Sequence, residues 1–126
     1  MYTVFHILVS LDCSRNDEMR KQLLARFPFE KFVISSEGRE ILSVTVSEED
    51  DQLSHLKNIK DFLIQNGPLL KNLTKSGKFS NPHIDIAFEP EDNQKKVYSE
   101  LVFDAELIRL LDDFKTELHI SVYATL

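Results

Sequence analysis

The sequence predicts an α+β protein: a single layer of mixed or mostly antiparallel sheet with helices packed on one face, in the order β-α-β-β-α-(α)-β-β-α-β. Three observations lead there. Stretches of alternating hydrophobicity interleave with stretches in which apolar residues recur at helical spacing. The interleaving has neither βαβ regularity nor a glycine-rich phosphate loop, which disfavours a doubly wound parallel sheet. With 42% hydrophobic residues and only 3 Gly and 4 Pro in 126 positions, the chain has ample core material and few breakers, enough for one domain spanning 1–126.

Taken in order, Met1 to Leu11 is a dense run of β-branched and aromatic residues and reads as a strand buried on at least one face. Asp12-Cys13-Ser14 breaks it. Ser14 or Asn16 is then placed to cap a helix carrying Met19, Leu23, Leu24 and Phe27, which Pro28 ends. Lys31 to Ser35 and Glu40 to Ser47 each alternate, the second with Leu42, Val44 and Val46 on one face, and Gly38 between them suits a tight hairpin turn. The carboxylates Glu48-Glu49-Asp50-Asp51 precede Leu53, Leu56, Ile59, Phe62 and Leu63, so they sit at the positive end of a helix macrodipole. Asn66-Gly67-Pro68 reads as the stop of that helix, with a second short helix through Leu69, Leu70 and Leu73 closed by Gly77.

His83 to Phe88 alternates strictly, with Ile84, Ile86 and Phe88 inward and His83, Asp85 and Ala87 outward. The polar stretch 89–96 reads as an exposed hairpin loop before a strand at Val97 to Phe103. Asp104 caps a helix burying Leu107, Leu110, Leu111 and Phe114, and Leu118 to Tyr123 closes the chain as a strand. The two ends, 1–47 and 79–126, read as related β-α-β-type halves.

The formal charge of −6 is unevenly placed. Residues 1–42 hold six basic and six acidic side chains and residues 43–78 five of each, whereas residues 79–126 hold four basic against ten acidic. A nucleic-acid binder needs a basic stripe to displace phosphate counterions, and none is present. An acidic third instead suits a cationic protein partner. The single cysteine, Cys13, leaves no disulfide framework, and neither a leader nor a run of about 18 apolar residues is found, so the expected compartment is the cytoplasm, away from any membrane.

No catalytic motif of any strength is present. The most suggestive constellation is His83, Asp85 and His119: if their strands are neighbours, two imidazoles and a carboxylate share one face and could hold a transition metal or serve hydrolysis. Isolated strand histidines, though, are ordinarily polar-face residues. Cys13, between a strand and a helix, has no glycine-bearing elbow around it. Asp112 and Asp113 lack a pocket that would split their environments, and the nine Phe and three Tyr sit at core-periodic positions.

The opening YTVFHILVSLD, the stretch LSHLKNIKDFLIQNGPLLKNLTKSG, the strand HIDIAF and the closing ELVFDAELIRLLDDFKTELHISVYA fall in the opening strand, residues 1–11 with Asp12 after it, and in residues 47–126, about two-thirds of the chain. Together they resemble a family of small bacterial proteins of undefined function, some of whose members are associated with polymorphic-toxin and contact-dependent-inhibition loci as immunity proteins. The chain departs from that family at Phe27-Pro28-Phe29-Glu30-Lys31 and in having no Trp. The resemblance implies a cytoplasmic, non-enzymatic inhibitor without cofactor or metal, bound to one cognate protein toxin.

On that reading the interface is of standard size, about 1,600 Å². Acidic side chains steer a basic toxin: first Glu89, Glu91 and Asp92 of the polar loop, then Asp112 and Asp113 of the last helix. The competing expectations are the metal-binding or hydrolytic domain built on the strand histidines and a structural module whose edge strand pairs two copies as a homodimer.

Overall fold

The computed structural model describes residues 1–34, 39–88 and 102–122. Strands β1 (Tyr2–Val9), β2 (Glu30–Ile34), β3 (Arg39–Ser47), β4 (Phe79–Phe88) and β5 (Glu117–Val122) form one sheet in the order β2-β3-β1-β4-β5. Three ladders are antiparallel, and β4–β5 is parallel. Helices α1 (Glu18–Arg26), α2 (Gln52–Lys75) and α3 (Ala105–Asp113) complete the described elements.

The period of two in β1 builds the layer. Thr3, Phe5, Ile7 and Val9 are buried, while Tyr2, Val4, His6 and Leu8 point to the other face. On the first face Phe5, Ile7, Leu42, Ile84 and Ile86 meet Leu56, Ile59, Leu63 and Leu70 of α2, together with Leu23 and Leu107. Each fully buried Leu or Ile there stabilises by roughly 1.5–3 kcal/mol relative to exposure. The Phe5, Phe27 and Phe62 rings continue the core toward α1, with Phe5–Phe62 and Phe27–Phe62 centroids 5.3 and 5.9 Å apart. The opposite face of the sheet carries no helix among the described residues.

The α+β class, the mixed sheet and the one-sided helices agree with the sequence reading; several details do not. Asp17 caps α1, not Ser14 or Asn16: its carboxylate accepts the Arg20 N–H at 3.1 Å and is anchored by Lys78, whereas the Ser14 hydroxyl accepts the Asn16 N–H at 3.1 Å in the preceding turn. Gly67 and Pro68 do not end a helix. They lie inside a continuous α2, and a second short helix does not form. Gly77, with φ +76°, makes the actual left-handed exit.

The fourth strand starts at Phe79 rather than His83, because a bulge at Asn81-Pro82 changes the side-chain parity. The two halves are not equivalent, since β4-α3-β5 is a parallel crossover while β1 pairs antiparallel with both neighbours. The Gly38 turn, the loop 89–96, most of the Val97–Phe103 strand and Tyr123 lie outside the described residues; Val102 and Phe103 are irregular. Among the described residues no helix is long and apolar enough to cross a membrane.

Candidate functional site

The uncovered face brings together the side chains singled out in the sequence, and one more. The bulge decides which. From Phe79 to Ile84 is five positions, which an unbroken pleat would place on opposite faces; the extra residue, with Asn81 at φ +50°, buries both and turns His83 and Asp85 outward. Pro82, lacking an N–H, fits where the ladder is interrupted. In the register His6 then faces His83, and Asp85 faces His119 on the parallel strand.

The result is a row of three imidazoles on three adjacent strands. The His6 and His83 ring centroids are 4.9 Å apart at 33°, and those of His83 and His119 are 4.2 Å apart at 16°. His6 Nδ1 shares a 2.5 Å hydrogen bond with the Ser43 hydroxyl, and His83 Nδ1 donates to the Asn81 carbonyl at 2.9 Å. His119 Nε2 donates to the Glu117 carboxylate at 3.1 Å. Asp85 accepts the Ser121 hydroxyl at 2.9 and 3.2 Å. Burial first, then the neighbouring His83, pushes the His6 pKa down, while the Asp85 charge works against the shift.

His83, Asp85 and His119 therefore do converge on one face, as the alternation allows. Their geometry is not that of a metal centre. Lone pairs lie in the ring planes, so stacked imidazoles do not aim them at a common point, and among the described residues no group of His, Cys, Asp and Glu is arranged to hold an ion. His6 is the member that the sequence reading leaves out. Its signal is the alternation of Phe5 and Ile7 around it, but its neighbourhood depends on strand order.

Toward β3 the same face holds a shallow depression of about 250 Å³ lined by Tyr2, Val4, His6, Pro28 and Thr45. A second depression of about 220 Å³ lies beside Cys13, Ser10, Arg20 and Glu40. There Arg20 is almost wholly buried and donates to Glu40 at 2.7 Å. Burial raises the Cys13 pKa, which keeps the sulfur protonated and weakly nucleophilic.

Of the expected partner-binding carboxylates, Glu89, Glu91 and Asp92 lie outside the described residues. Asp112 and Asp113 are exposed in the last turn of α3. The other described carboxylates of this third are spread over both sides of the layer: Asp104 and Glu106 bind Lys60 at the start of α3, and Asp85 and Glu117 belong to the histidine face. The Lys60 ammonium holds the Asp104 carboxyl below its ordinary range.

Fold and surface together define, among the described residues, a one-sided α+β layer with a histidine-lined sheet face. No protein-family model matches the chain, and no curated protein or solved structure matches it.

Proposed function

We propose that this chain is a binding protein rather than an enzyme: a cytoplasmic bacterial immunity protein that neutralises a cationic toxin, a nuclease being the leading kind, by covering its active site. The observation that supports this reading is the position of Asp112 and Asp113. Carboxylates stabilise the first turn of a helix and destabilise the last, by roughly 0.3–1 kcal/mol each when exposed. Asp104 and Glu106 occupy the favourable end of α3; Asp112 and Asp113 occupy the unfavourable one, in a last turn without a basic residue. Among the described residues Lys115, itself exposed, approaches Asp112 at 3.6 Å. Two charges that do nothing for the helix add to its negative end and make a concentrated target for a basic surface. They belong to the third of the chain with ten acidic and four basic residues.

A nuclease must be basic to hold phosphates, so an acidic inhibitor can stand in for its substrate. The test is association with the toxin encoded by the reading frame beside this gene, with the rate measured against ionic strength. Asp112→Lys/Asp113→Lys should slow association by about tenfold at low salt, with the loss shrinking as salt is raised. The same double variant should be slightly more stable to urea, because it removes like charge from the helix end. Glu91→Lys/Asp92→Lys is the companion pair for the loop. A rate indifferent to salt and to both pairs would overturn the electrostatic mechanism.

A further inference from the structure

We infer that the row His6, His83 and His119 is an acid-sensitive latch on the edge strand β5, which leaves β4 when the row is charged while α2 and the rest of the sheet remain folded. The inference is independent of the toxin-binding reading.

Three features of β5 make it the element to move. Among the described residues it pairs with β4 alone. None of its six residues is buried, and Ile120 and Val122 are 48% and 61% exposed. Among the described side chains, those joining it to β4 include the Ser121–Asp85 hydrogen bond and the His119–His83 stack, with Leu118 partly buried against the core. An edge strand held by so few apolar contacts opens at the low end of local unfolding free energies.

The groups facing the row can be taken element by element. β1 contributes His6, and β3 contributes Ser43. β4 contributes His83 and Asp85, and β5 contributes Glu117, His119 and Ser121. Neutral rings stack favourably across the strands. Charged rings at 4.2 and 4.9 Å repel across a site over which, among the described residues, no helix lies.

The Glu117 carboxylate that pairs with His119 lies on β5 itself, so that pair does not tie the strand to β4. Asp85, the one acid on β4 that reaches β5, does so through Ser121. Against the described carboxylates Asp85 and Glu117, three charged imidazoles would take the face spanning β1, β4 and β5 from net negative to net positive. Burial and the neighbouring imidazoles disfavour a charge on His6 while the strands stay in place, so opening β5 relieves it as well.

The experiment is amide hydrogen exchange on the full chain at about pH 7.5 and about pH 5, corrected for intrinsic rates. Residues 117–122 should lose protection by about tenfold at the lower pH while the central turns of α2 keep theirs. In His83→Gln/His119→Gln the β5 response should vanish; His119→Gln alone, at an exposed site, should weaken it and guards against a misfolded double variant. The latch is overturned if β5 protection is the same at both pH values, if it falls in step with α2, or if the response survives in the variants.

Discussion

Gly67 shows how one side chain, or its absence, fixes the packing of two helices. A Cβ built there would lie 2.4 Å from Cγ and Cδ2 of the Phe114 ring, well inside contact distance. The glycine is present for close approach between α2 and the end of α3, not for a left-handed turn. Gly67→Ala gains up to about 1 kcal/mol of helix propensity but overpacks a rigid ring, so a net loss of about 1–2 kcal/mol is expected in urea unfolding. In a Phe114→Ala background the same substitution should be neutral or stabilising. If its effect is the same in both backgrounds, the ring contact is not its cause. The sequence motif Asn66-Gly67-Pro68 resembles a helix stop because the reason for its glycine lies 47 positions away, at Phe114.

Among the elements, α2 carries a proline that its ladder has to absorb. Pro68 has no N–H for the Ile64 carbonyl, and its ring crowds that carbonyl. Both residues are on the exposed side of the helix, where water can satisfy the freed oxygen. On the next turn inward Arg26, the last residue of α1, donates Nη2 to the Gln65 carbonyl and Nε to Asn66 Oδ1, each at 3.0 Å, while Asn66 donates to the Phe62 carbonyl at 3.0 Å. One helix thus braces the other where proline interrupts it. Pro68→Ala should stabilise by about 1–2 kcal/mol once the lost rigidity of the unfolded chain is discounted. A loss in thermal unfolding would mean instead that the proline is needed to present Gln65 to Arg26.

What the sequence revealed at this level follows from range. The alternation of Ile84 and Ile86, the helical spacing of Leu107, Leu110 and Leu111, and the cap Asp104 are local signals, and the structure bears them out. The Asn81-Pro82 bulge and the meeting of His6 with His83 are set by pairing between distant strands, which no local period encodes.

For the molecule as a whole, stability is tied to pH through buried imidazole. His55 is fully buried beneath the start of α2, where Nδ1 donates to the Glu49 carbonyl at 3.1 Å and Nε2 accepts the Thr3 hydroxyl. With the carbonyl able only to accept, the neutral tautomer is fixed, and both ring nitrogens are satisfied without a charge. Burial pushes the His55 pKa down, partly opposed by the Glu49 carbonyl, and His6 moves the same way.

A histidine whose folded pKa lies below its unfolded value binds fewer protons folded than unfolded, so stability rises with pH across that interval. The contribution is complete above the ordinary value of 6.5 and is lost as pH falls from there toward the folded values. Urea unfolding between about pH 7.5 and pH 5 should show a midpoint that falls with acid, at a slope of at most about 1.4 kcal/mol per pH unit for each histidine. His83→Gln/His119→Gln should leave most of this global slope in place, because His55 lies on the opposite face of the sheet from the histidine row. A midpoint independent of pH over that range would show that His55 charges as easily folded as unfolded, and the buried Thr3–His55–Glu49 chain would not then be the neutral structure argued for it.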